Sequence, residues 1–342
     1  MALLWIEGFE GMGTTLTGPP SPVGILGRKY PSVFDESTMN IVAGRSGYAL
    51  QIDTSIAYMF SPNLTTDATM IFGCAIKMVT LPATSHESTL VSLVDGSNIG
   101  INLRVQPDGT IDVYKLNTLV GSTVLAMSQN TWYYLELKVL VAASATGTID
   151  LVMNEATWFQ VSSMVTQVTP NAWHSGFRLG DVDAVAHYDD IYVLDGTGSI
   201  NNDILGPRKV VAIHPDAAGD DTDWTPDAGD NYDRVNEVEL DEDTTYVETD
   251  TPGDQDLYNY GPTVNLSEIT GIQIVVDAKV TTGSMELQTV TKSGTTEDTD
   301  SHGTIVSTSY GSHSTIEELN PDTSLPWTPG EIDAAQFGVK AV

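Results

Sequence analysis

Along most of its length the chain alternates apolar and polar residues with period two, and Gly, Asn, Asp or Pro interrupts the alternation about every eight to twelve residues. The segments GYALQID (47–53), ATMIFGCAIKMV (68–79), STLVSLVD (88–95), IGINLRVQPDGTIDVYKL (99–116), TWYYLELKVLV (131–141) and GTIDLVMN (147–154) each predict a strand. Successive strand side chains point to opposite faces, so alternation buries one face and wets the other. Thus Leu135, Leu137 and Val139 point inward, and Glu136 and Lys138 predict a half-exposed outer face. Pro107, Asp108 and Gly109 supply the turn of a hairpin between two alternating runs. Further on, Ile272, Ile274 and Val276 share one face, Met285, Leu287 and Thr289 another, and Phe337, Val339 and Ala341 predict a C-terminal strand. Only SEITG and GEIDAAQFG suggest short helices. The predicted fold class is all-β: two β-sandwich, jelly-roll-like domains.

A polar, Gly-rich passage after Asp195, DGTGSINNDILGPRK, marks a domain exit. It predicts a β-sandwich over 1–200, an acidic extended connection over 201–260 packed partly on the second domain, and a second β domain over 261–342 that borrows strands from 207–215 and 244–248. The connection carries sixteen acidic residues against Arg234 alone between Asp216 and Asp256. Trp224, Tyr232, Tyr246 and Tyr258 interrupt it as apolar anchors, which sets it apart from a solvated tail.

Charge narrows the partners. With 14 Lys+Arg against 46 Asp+Glu, a net −32, the surface repels polyanions, so nucleic acid is not expected as a partner. No apolar run reaches the roughly 18–20 residues of a membrane span, and membrane insertion is not expected. Cys74, the single cysteine, lies in an apolar run with no basic neighbour and reads as a buried small hydrophobe. The N-terminal MALLWIEGFEGMG has no basic region before its apolar residues and does not read as a secretory signal, so synthesis in a cytoplasm is expected.

Candidate chemistry is sparse. The run ELDEDT (239–244) nearly matches the Glu-x-Asp-x-x-Glu pattern of laminarinase-type glycosidases, but Thr244 stands where the second acid belongs. The six histidines show no paired metal spacing, and neither a GxSxG elbow nor a phosphate loop is present. In an antiparallel sandwich the first strand often lies beside the last, which would bring Glu7 and Glu10 to Asp189 and Asp190. Such a cluster is either a set of solvated rim residues or a structural calcium site, oxygen-only ligands favouring that cation. No other cofactor is required.

The segments GFEG, GYALQI, TWYYLELKV, GTIDLVMN and HYDDIYVLDG resemble the concanavalin A-like lectin/glucanase (LamG-like) sandwiches, and the pattern is similar to N-terminal domains of tailed-bacteriophage virion proteins. In that class DDIYVLDGTGSINNDILGPRKVVAIHPDAAGDDTDWTP forms a bridge to a second β domain. The resemblance implies a non-enzymatic virion structural protein, a tail appendage, fibre-type or capsid decoration protein, that forms a homo-oligomer and contacts other virion proteins. The alternative is a carbohydrate-binding module for host adsorption, with a glycoside hydrolase third. Sugar binding in such folds uses exposed aromatic rings, and Tyr114, Tyr133, Trp158 and Trp173 are the candidates for a host surface glycan.

Overall fold

The computed structural model describes residues 2–12, 22–53, 56–84, 86–181, 183–263 and 266–342. The chain forms two units, Met1–Val211 and Ala212–Val342, both built of antiparallel strands. No helix among the described residues is long and apolar enough to cross a membrane.

In the first unit one sheet runs from edge to edge as Ala156–Met164, Gly147–Met153, Trp132–Leu140, Thr69–Thr80, Val185–Asp195, Tyr48–Ile52 and Met39–Ala43. Leu3–Glu7 joins it as an eighth strand by pairing antiparallel with Val185–Asp195, Leu3 opposite Leu194 and Glu7 opposite Ile191. First and last strands therefore do meet. The second sheet has seven strands in the order Thr118–Ala126, Thr110–Lys115, Asn98–Val105, Ser88–Asp95, Gly176–Gly180, Tyr58–Phe60 and Ser32–Phe34. The predicted hairpin turn is present: Gly109 sits at φ +85°, its N–H donates to the Gln106 carbonyl at 2.9 Å, and Asp108 accepts from the Thr110 N–H at 2.9 Å.

The core lies between these sheets. Across the seven-stranded sheet the register aligns Met59, Leu179, Val91, Leu103 and Val113 in one row, all completely buried. On the facing sheet Leu135, Leu137 and Val139 are equally buried, opposite Met153, Leu151 and Ile149. Phe72 and Phe177 bridge the layers, ring centroids 4.9 Å apart. Each such side chain contributes roughly 1.5–3 kcal/mol by leaving water.

One expectation fails on the outer face of the eight-stranded sheet. Glu136 is not half-exposed but fully buried, because the chain after Asp195 crosses this face. The Gly206 N–H donates to Glu136 at 2.8 Å, the Tyr192 hydroxyl donates to it as well, and Lys138 pairs with Asp203 at 2.7 Å. The strand expected over 207–215 begins only at Pro215, since the Val210 N–H is taken by the Asp190 carboxylate rather than by a strand ladder.

In the second unit a five-stranded sheet runs Pro215–Thr222, Gln255–Tyr260, Gln336–Ala341, Met285–Ser293 and Thr296–Ile305. The pair Ile272–Ala278 and Gly311–Glu317 contributes Ile274 to a cluster with Trp327, Ile332 and Phe337. The short helix Pro329–Ala334 starts with a capping box in which Thr328 and Glu331 satisfy each other's backbone N–H groups. That helix falls in GEIDAAQFG, whereas SEITG forms none.

Candidate functional site

The carboxylates Glu7, Glu10, Asp189 and Asp190 gather not at a solvated rim but around the middle of the interior strand Val185–Asp195, between the stretches that pair with Leu3–Glu7 and with Tyr48–Ile52, and the chain supplies cations there. Glu7, 3% exposed, accepts hydrogen bonds from the Phe9 N–H (2.8 Å), Lys29 Nζ (2.9 Å) and the Tyr30 hydroxyl (3.3 Å). A bulge shifts the last strand's register between Asp189 and Tyr192, and Asp190 takes a left-handed φ of +50°. Asp189 accepts from the N–H groups of Arg45 (2.7 Å), Ser46 (3.4 Å) and Asp190 (2.7 Å). Asp190 accepts from Arg45 Nε at 2.8 Å, and Glu10 from the Tyr48 N–H at 3.4 Å. Burial, reinforced by the charge of Asp190, pushes the Asp189 carboxyl up to about 7, and burial pushes Glu10 up to about 7. Among the described residues no group of three or more His, Cys, Asp or Glu is arranged to hold a metal ion. Lys29 and Arg45 place positive charge directly on Glu7 and Asp190.

The four aromatic candidates do not converge. Tyr133 and Trp158 pack edge to face at 5.7 Å on the eight-stranded sheet. Tyr114 belongs to the seven-stranded sheet, and Trp173 to the loop before its strand Gly176–Gly180.

Around Tyr114 the register assembles something sequence could not show. Between the buried apolar rows the alternation leaves a row facing away from the core: Phe60, Arg178, Ser92, Asn102 and Tyr114, each opposite the next across five strands. Polar residues on an outer sheet face are ordinarily solvated. Here Arg178 is 6%, Asn102 2% and Ser92 0% exposed, and the three line a cleft of about 430 Å³ together with Arg104, Asn117 and Asp181. The Ser92 hydroxyl has no hydrogen-bond partner, which is costly for a buried polar atom unless a ligand supplies one.

Each of the two guanidinium groups lies over an aromatic ring. Arg104 lies 4.1 Å above the Tyr114 ring, donates from Nε to Asn102 at 2.8 Å and pairs with Glu87. Burial alone would raise the Glu87 carboxyl, but hydrogen bonds from Arg104, Gln106 and Tyr114 outweigh it and hold Glu87 below the usual carboxylate range. Arg178 lies 4.3 Å from the Tyr58 ring, and Tyr58 stacks on Phe34 at 5.1 Å. Arg178 donates to Asp181 at 3.1 Å. Asp181 itself is at φ +71°, fixed by its N–H to the Ala57 carbonyl (2.8 Å) and by the Thr89 N–H to its own carbonyl (3.2 Å). Aspartate adopts this region readily, and the two hydrogen bonds hold Asp181 in place beside Arg178. Next to this cleft, and sharing Ser97 and Asn98 with it, is a second cavity of about 500 Å³ lined by Trp173.

None of Ser92, Asn102, Arg104, Arg178 and Asp181 was singled out from the sequence. The available signal was the polar phase of INLRV and GFRLG, which places Asn102, Arg104 and Arg178 outward without saying that they meet.

No protein-family model matches the chain, and no curated protein matches it. Among solved structures it is similar to an alginate lyase from Aplysia kurodai, at 12% identity and a TM-score of 0.44 over 56% of this chain and 98% of that one. It is also similar to an endo-β-1,4-glucuronan lyase from Trichoderma reesei, at 13% identity and a TM-score of 0.39 over 48% and 90%. For a Trypanosoma rangeli sialidase the values are 12% and 0.35 over 46% of this chain, which matches only 27% of that enzyme. At these identities the likeness is one of β-sandwich fold. The expectation of a non-enzymatic virion structural protein, with a host-adsorption module as alternative, is corrected to this extent: the similar chains are two lyases and a sialidase.

Proposed function

We propose that the chain is a carbohydrate-active enzyme that takes a polysaccharide along the outward face of the seven-stranded sheet and acts on it there. The observation that carries this is the buried polar row Arg178, Ser92 and Asn102 on a face turned away from the core. Vicinal sugar hydroxyls present paired donors and acceptors that planar guanidinium and amide groups match two at a time, while aromatic rings pack on the C–H faces of the sugar. Arg104 on Tyr114 and Arg178 on Tyr58 offer both in one cleft. Asp181, half-exposed beside Arg178, is the carboxylate placed to transfer a proton.

The test is a panel of neutral and acidic polysaccharides, scored for retention in affinity gels and for release of soluble oligosaccharide. At least one polymer is expected to be retained and shortened, with retention weakened in Arg104→Ala and Arg178→Ala. Asp181→Asn is expected to keep retention and lose product release by roughly a hundredfold or more. Retention of no polymer would sink the proposal, and retention without product from any polymer would remove its catalytic half.

A further inference from the structure

We infer that the cavity beside the cleft is a second sugar subsite, that it takes an uncharged ring, and that the ligand is long enough to span both. This rests on the cleft being a polysaccharide site. The two spaces adjoin: Ser97 of the turn after the strand Ser88–Asp95 and Asn98 at the start of the strand Asn98–Val105 line both. The lining of the second has the chemistry of a sugar pocket: the half-buried indole of Trp173 beside the side chains of Asn63, Asn98 and Asn171.

Its loops are tied together before any ligand arrives. Asp95 accepts from the Thr169 hydroxyl at 2.5 Å and from the Asn171 amide at 2.9 Å. The Ser175 hydroxyl accepts from the Gly96 N–H and donates to Asn63 Oδ1, both at 2.9 Å. Three loops converging on Trp173 are thereby cross-linked, which lowers the ordering cost of binding.

Charge selects the ligand. Asp95 is the one charged residue among those lining this cavity, and no Lys or Arg is among them. His174, between Trp173 and Ser175 in the chain, is completely buried and packs so tightly on Gly100 that a Cβ there would collide with its ring. Burial lowers the His174 imidazole to about 4, so it adds no positive charge near neutrality. A carboxylate or sulfate group on the sugar would face Asp95 with nothing to neutralise it.

Isothermal titration of the full chain with xylo-, manno- and cello-oligosaccharides of increasing length, and with oligogalacturonides as the acidic series, tests this. In a neutral series the long members are expected to bind about tenfold tighter than the short ones. Trp173→Ala should erase that gain and leave short-ligand affinity unchanged, while Trp173→Phe restores most of it. Arg104→Ala should weaken short and long ligands alike. Unaltered long-ligand affinity in a folded Trp173→Ala variant, with Arg104→Ala still impaired, overturns the subsite and spares the cleft. A length gain confined to the acidic series overturns the uncharged ring. Wild-type protein that binds none of the series, with Arg104→Ala no different, overturns the cleft reading and the subsite with it.

Discussion

Replacing Arg45 by alanine is expected to destabilise the first unit by about 3–5 kcal/mol. The Arg45 side chain is about a quarter exposed, but its partner Asp190 is completely buried. Besides pairing with Asp190 at 2.8 Å, the guanidinium donates to the Arg208 carbonyl and lies 5.2 Å from the Tyr134 ring. Its removal leaves a buried carboxylate with no ion-pair partner in contact, only the charge of Lys209 and the Val210 N–H, at a bulge in the strand Val185–Asp195. The cost is that of an orphaned charge rather than of a lost contact, so Asp190→Asn in the Arg45→Ala background should recover part of the stability. Arg45→Lys should fall between, because an ammonium cannot serve Asp190 and a carbonyl at once through one planar fork. Cys74 provides the readout: it is the only cysteine and is fully buried in the first unit, so its thiol becomes reactive when that unit opens. A shift below about 1 kcal/mol in denaturant-dependent labelling would mean that the pair is as weak as a surface ion pair.

How far the sequence carried follows from the range of each interaction. Strands such as Ser88–Asp95 and Trp132–Leu140 were legible because alternation is local. The pairing of Leu3–Glu7 with the final strand was legible too, since closing a sandwich brings chain ends together. Glu136 was misread because its burial depends on a segment some 70 residues later that crosses the sheet. The cleft was illegible for a related reason: Phe60, Arg178, Ser92, Asn102 and Tyr114 align only through four consecutive pairings, and a one-residue slip in any of them would turn the row over. Tyr114 and Trp173 stand out in the sequence as aromatic residues, whereas the arginines that lie on Tyr114 and Tyr58 carry no local signature. For Tyr133 and Trp158, the same aromatic criterion selected a pair packed on each other.

The carboxylates around the bulge in Val185–Asp195 make a prediction about pH whose sign is opposite to that of an ordinary salt-bridged acid. Asp189 and Glu10 are each raised to about 7 in the folded chain, by burial first, whereas unfolded carboxylates titrate near 4. The folded state therefore holds protons that the unfolded state has released between about pH 4 and 7, and stability falls as pH rises through that window. One pKa unit corresponds to about 1.4 kcal/mol, so allowing for partial solvation of Glu10 the first unit should lose a few kcal/mol from pH 5 to pH 8. Repulsion within a chain of net charge −32 acts in the same direction. Below about pH 4 the trend reverses, because Glu87 and Asp203, both held low by their partners, are then protonated and their pairs with Arg104 and Lys138 are lost. Asp189→Asn separates the local effect from the global one. The amide loses the hydrogen bond from the Asp190 N–H but can still accept from Arg45 and Ser46 through its oxygen, and it cannot ionise. Thiol protection of Cys74 across this pH range should show a shallower slope in the variant, even if its stability at pH 5 is lower. An unchanged slope would assign the pH dependence to the diffuse surface charge rather than to this cluster.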